Sequence, residues 1–170
     1  MGPYANGITG SFYGFTSSNS SRAVVAGGDL YHVLFTDTQL VCVLKADLKT
    51  DVDKDYDSSK SSFKQKPWVN YWDTDDWWIK LKEHVSGKLV VLGPDYSESE
   101  DNVLKADIKI DYNKINSIQI TKYGSNSNKI IYFNSGLLNI NSCNFVFYGA
   151  MFNDIKKLIQ NTKLSVKLKE

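Results

Sequence analysis

A chain of 170 residues with 42% apolar side chains, including eight Phe, ten Tyr and four Trp, can build one globular domain with a sizeable core and is not a disordered segment. Its 20 basic and 19 acidic residues leave a net charge of +1, and Arg22 is the sole arginine. That balance excludes a dedicated nucleic-acid binder, whose phosphate contacts call for a basic surface and bidentate guanidinium groups.

Residues 1–28 mix turn residues with aromatics and lack the basic and apolar regions of a signal peptide. Part of this stretch, residues 11–15 or 23–26, is read as an N-terminal strand. Leu30-Tyr31-His32-Val33-Leu34-Phe35 and Leu40-Val41-Cys42-Val43-Leu44 are β-prone runs separated by Thr36-Asp37-Thr38-Gln39, which predicts a hairpin. Both runs are almost continuously apolar, so both faces of the hairpin are expected to be covered.

Residues 47–66 are polar and acidic and read as a loop outside the core. An aromatic block follows: Trp68, Tyr71, Trp72, Trp77 and Trp78. Thr74 and Asp75 suit the start of a short helix and Gly87 its stop, with Trp77, Leu81 and Val85 as its apolar stripe. A hairpin turning at Ser86-Gly87 is the competing reading. Residues 93–102 read as a second acidic loop.

From Val103 the alternation of Leu104, Ala106, Ile108 and Ile110 predicts a strand, continued by Ile115, Ile118 and Ile120. Residues 123–128 read as a turn, 129–134 as a strand, Ser135-Gly136 as a turn and 144–148 as the last strand. Met151, Phe152, Ile155, Leu158 and Ile159 then fall at helical spacing, with Asn153 and Asp154 early and Lys156, Lys157 and Lys163 late, as the helix dipole favours. The chain also repeats itself once: residues 43–51 resemble residues 103–111, although the flanks do not repeat.

Candidate chemistry is sparse. The acidic run from Asp51 to Asp57 has oxygens at alternate positions, as a calcium loop needs. However, Tyr56 stands where such a loop needs glycine and Ser62 where it needs a bidentate glutamate, so it reads as a solvated loop. Cys42 and Cys143 are too far apart in sequence for a zinc site and read as buried free thiols, with a bridge between facing strands left open. His32 and His84 have no catalytic or metal-binding partner at motif spacing, and read as structural or surface residues. No phosphate-binding glycine loop and no nucleophile motif appears. We therefore expect no catalytic residue, no metal and no cofactor.

Short strands closed by one helix resemble the pleckstrin-homology-like (PH-like) domains of bacteria and archaea. The residues that carry this resemblance are Leu34-Phe35-Thr36-Asp37-Thr38-Gln39-Leu40, the spaced Ile110, Tyr112, Ile115, Ile118 and Ile120, the strands at 129–133 and 145–148, and the helix at 152–164. It covers residues 30–46 and 103–164. The resemblance implies a mainly β (α+β) fold: an antiparallel barrel or sandwich with a C-terminal capping helix at 150–164 and a Trp-rich insertion at 47–102, all within one domain, 1–170. It also implies binding or scaffolding. Phosphoinositide recognition is not expected, because the first hairpin loop carries Asp37 and no base.

The expected function is thus a noncatalytic interaction module, soluble and cytoplasmic, with a protein or peptide partner and room for self-association. Its binding residues are expected to be Trp68, Tyr71, Trp72, Trp77 and Trp78, because exposed indoles anchor partners well. The alternative is a carbohydrate- or small-ligand-binding domain that stacks sugars on the same tryptophans. A hydrolase using Asp75 and Asp76 ranks third.

Overall fold

The computed structural model describes residues 7–19, 24–46, 75–85, 87–93, 98–122, 135–141 and 143–169. Among the described residues nine strands form one hydrogen-bonded sheet: β1 (Gly10–Asn19), β2 (Val24–Phe35), β3 (Gln39–Ala46), β4 (Val90–Leu92), β5 (Ile108–Asp111), β6 (Ile118–Lys122), β7 (Ser135–Ile140), β8 (Cys143–Tyr148) and β9 (Leu168–Lys169). Their order is β5-β3-β2-β1-β8-β7-β6-β9, with β4 also attached to β1. Every pairing is antiparallel except that of β6 with β9. Among the described residues the sheet does not close on itself: β5 and β9 are its two ends. No described helix is long and apolar enough to cross a membrane.

The expected first hairpin is present, with Phe35 opposite Leu40 and Val33 opposite Cys42. Its turn is held by Thr36, whose Oγ1 accepts from the Gln39 N–H at 2.8 Å while its own N–H donates to the Gln39 carbonyl at 2.9 Å. Residues 30–35 and 40–43 are all buried, so both faces are indeed covered. One face turns Val33, Phe35, Leu40 and Cys42 into the main core, and the other places Leu34, Val41 and Val43 in a smaller cluster with Ile8 and Val103. The N-terminal stretch is not peripheral. β1 is the central strand, and Phe12 on it meets the rings of Phe35, Phe145 and Phe147 at centroid distances of 6.1–6.3 Å.

Two segments differ from expectation. Residues 100–104 form a short helix instead of the start of a strand, and the strand begins only at Ile108. The Ser99 hydroxyl caps this helix by accepting from the Asn102 N–H at 3.1 Å, and Glu100 and Asp101 lie in its first turn. The apparent alternation through 103–106 therefore comes from one helical turn: Val103 is buried and Leu104 is exposed. Ser135-Gly136 opens strand β7 instead of turning. The turn comes later, at Asn141, whose φ of 56° suits asparagine and whose side chain accepts from the Asn116 N–H at 2.8 Å. The expected strand at 129–134 and the expected loop at 47–66 lie outside the described residues.

Three α-helices are found among the described residues: α1 (Asp75–His84), α2 (Glu100–Leu104) and α3 (Phe152–Gln160). α1 settles the helix-or-hairpin alternative in favour of the helix. Gly87, at φ 108°, ends it, and its N–H donates back to the Lys82 carbonyl at 2.8 Å. Its described inward residues are Trp78, Leu81 and Val85; the side chain of Trp77, the expected start of the stripe, lies outside the described residues. α3 is the expected closing helix. Ile155, Leu158 and Ile159 are buried and join Met151 and Leu164 in the main core. It packs on β1, β4 and β6. The residues after it continue through a 3₁₀ turn (Lys163–Lys167) into β9.

Candidate functional site

β1 offers two edges. β2 takes one of them, along almost its whole length, and β4 and β8 share the other: β4 pairs with Gly10–Phe12 and β8 with residues 15–17. α1, β4 and the turn after β8 line a cleft of about 430 Å³. Its lining includes Trp78, Ile79 and Lys82 of α1, Lys88, Leu89 and Val90 at the start of β4, and Tyr148, Ala150 and Met151 at the end of β8.

The wall residues have separate tasks. Trp78 is buried and stacks on Tyr148 with centroids 5.3 Å apart and planes 27° apart, so it builds the wall and presents little surface. Ile79, next on the helix, is 53% exposed and projects apolar surface at the rim. Lys82, one turn beyond Trp78, and Lys88 are both exposed, and among the described residues they are the only charged ones in the lining. Among the described residues neither has a carboxylate partner. A mostly apolar concavity of this size with a few polar groups has the usual form of a binding site.

Of the five aromatic residues expected to bind, only Trp78 is described in full, and it lines the cleft. Trp77 lies in α1, and its side chain is outside the described residues, as are Trp68, Tyr71 and Trp72. Ile79, Lys82, Lys88 and Val90 went unnoticed in the sequence as site residues. Ile79 and Lys82 stand three apart, hence on one side of α1, which is the signal that was available. Nothing local links them to Lys88 or Tyr148.

A second polar constellation sits on the opposite face of β1 and β2. His32 Nδ1 lies 2.9 Å from Glu98 Oε2, and Nε2 lies 2.8 Å from Ser11 Oγ. The His32 ring stacks on Tyr13 at 4.2 Å, nearly parallel. Lys45 Nζ reaches both Glu98 oxygens at 2.9 Å, and the Asn102 amide donates to Oε1 at 3.2 Å. Burial alone would raise the Glu98 carboxyl, but the hydrogen bonds and charges of His32 and Lys45 outweigh it and hold the group down to about 2. With Glu98 ionised, Nδ1 must be the donor, so in a neutral ring Nε2 accepts from the Ser11 hydroxyl.

A serine, histidine and carboxylate in this order form a nucleophilic relay when a substrate can reach the hydroxyl. Here Ser11 and His32 are 0% exposed, so no substrate atom reaches Ser11 Oγ in this arrangement. What the bonds accomplish is mechanical: Glu98 fastens the start of α2 over the outer face of the hairpin, where Val103 seals the smaller cluster. His32 is thus a buried histidine with both nitrogens engaged, and its carboxylate partner lies 66 residues away.

Cys42 is buried and Cys143 half-buried, and both are free thiols. Burial pushes the Cys42 thiol well above its ordinary range, with a further push from Cys143, and burial also raises Cys143. Neither is a poised nucleophile. Among the described residues no cluster of His, Cys, Asp or Glu is arranged to hold a metal ion. Comparison with family models, with curated proteins and with solved structures finds no match to this chain.

Proposed function

We propose that this domain is a noncatalytic, PH-like interaction module that holds a protein or peptide partner in the cleft between α1, β4 and the turn after β8. The cleft carries this reading. It joins an apolar lining and an exposed Ile79 to two exposed lysines that have no carboxylate partner among the described residues, and it is built partly from the Trp-rich segment. The PH-like reading draws support from the strand order. Apart from the short β4 and β9, seven antiparallel strands run as two meanders joined through the β1–β8 pairing, and a C-terminal helix packs on them.

Ile79→Arg tests the site without touching the core, because more than half of that residue faces solvent. Peptides selected from a displayed random library against the full chain are expected to lose binding to the Ile79→Arg protein, while its circular dichroism stays unchanged. Selected peptides that bind both proteins equally would remove the cleft as the site. Binding to a glycan array that Ile79→Arg abolishes, with no peptide selected, would establish the carbohydrate-binding alternative instead.

A further inference from the structure

The backbone of β4 gives the cleft a second property. Tyr13 donates its N–H to the Leu89 carbonyl at 2.8 Å, and Gly93 donates its N–H to the Thr9 carbonyl at 2.8 Å. Bonded and non-bonded pairs alternate along an antiparallel ladder. With Ser11 opposite Val91, residues 89, 91 and 93 therefore turn their backbone groups to β1, and Val90 and Leu92 turn theirs the other way. Among the described residues β4 pairs with β1 alone, so no described strand takes that outer edge. Val90 belongs to the cleft lining. Among the described residues the cleft thus combines an unpaired strand edge, an apolar lining and two exposed charges, Lys82 and Lys88.

An open edge is a template for another strand, and extended peptides use such edges through main-chain hydrogen bonds while side-chain pockets set the choice of sequence. We infer that the occupant is an extended acidic–apolar peptide segment, which adds to the outer edge of β4, lays an apolar or aromatic side chain over Tyr148 and Met151, and places flanking carboxylates against Lys82 and Lys88. The inference rests on the reading of the cleft as the binding site and names the class of partner that fits it. A rigid-body fit is reasonable because the lining is anchored on both sides: Trp78 of α1 and Leu89 beside β4 are both buried in the main core. Nucleic acid is not such an occupant, since it offers no strand to pair with β4.

The test uses the full chain and labelled heptapeptides with a central Val-Phe-Val, followed by fluorescence anisotropy. One probe has two acidic residues on each side and the other has two lysines. The acid-flanked probe is expected to bind roughly tenfold more tightly at low salt, since exposed charge pairs give modest individual gains. The double substitution Lys82→Glu and Lys88→Glu, at two exposed positions, is expected to reverse that preference. An acid-flanked probe N-methylated on alternate backbone amides is expected to lose binding, with the protein itself unaltered. Equal binding of the two flanks would overturn the acidic class and leave the cleft as a peptide site. Undiminished binding of the methylated probe would overturn strand addition. Tight binding of the acidic probe that Ile79→Arg leaves untouched would overturn both this inference and the functional reading beneath it. Anionic lipid vesicles bound through Ile79, with neither peptide bound, would replace the peptide by a membrane surface and overturn it as well.

Discussion

At Glu98, donors from three other residues converge on one carboxylate that water scarcely reaches. Removing one partner from such a buried network leaves the others uncompensated and typically costs more than the pair contributes. Glu98→Gln is therefore expected to lower the unfolding free energy by about 3 kcal/mol at neutral pH, read from urea unfolding. The sign of the pH dependence follows from the lowered carboxyl. The folded group titrates near 2 against 4.5 for an unperturbed glutamate, so its contribution is complete above 4.5 and is lost as the pH falls from 4.5 toward 2. The gap between the two proteins should close over that window. A gap that stayed constant down to the acid limit would show that the carboxylate charge is not what fastens α2.

At the scale of elements, the docking of α3 depends on a missing side chain. A Cβ on Gly10 would stand 2.5 Å from Leu158 Cδ1 and 2.7 Å from the Val91 carbonyl oxygen. The leucine tip can turn aside, but the carbonyl belongs to the β1–β4 ladder and cannot move without breaking it. Gly10→Ala is thus expected to destabilise the domain by roughly 2 kcal/mol, in the range for overpacking a filled site. The thermal midpoint would report it. Gly7→Ala is the control, because the atom nearest its added Cβ is a side-chain oxygen of exposed Asp37 at 3.2 Å, and little change is expected there.

Over the whole molecule, protection should follow the sheet order. β1 is bonded along both edges and lies beside β2 and β8 in the main core, whereas β9 is a two-residue strand at the end of the sheet and β5 a four-residue strand at the other. In native-state amide exchange the slowest protons are expected in residues 11–14 and 31–35, and β9 is expected to exchange by local opening. Slow exchange in β9 that matched β1 would mean that the sheet ends are tied more firmly than this order implies. The same view bears on the Trp-rich insertion. Residues 75–93 are not an appendage, because Trp78, Leu81 and Leu89 are part of the main core and β4 is part of the sheet. Deleting 47–102 would open that core.

Much of the architecture was legible along the chain because it rests on local chemistry. The hairpin at residues 30–44 announces itself by two apolar β-prone runs and a Thr-Asp turn, α1 by its glycine stop, and α3 by an apolar stripe with acid early and base late. Local chemistry does not decide everything, and the repeated Val-Leu-Lys-Ala shows where it ends. At 43–46 this tetrapeptide lies in strand β3; at 103–106 it ends helix α2. Both copies bury the valine in the same small cluster and expose the leucine, so the burial pattern is shared and the backbone is not. What separates them is context: Ser99 caps the second copy, and β2 pairs with the first. Gly136 is similar. It reads as a turn, yet it lies in β7 because the Phe147 ring fills the place of its side chain, within 2.3 Å of where a Cβ would stand. The cleft and the Glu98 network belong wholly to tertiary structure. Their residues come from segments tens of positions apart, and only the folded arrangement of α1, β4 and β8 brings Trp78, Lys82, Lys88, Val90 and Tyr148 to one place.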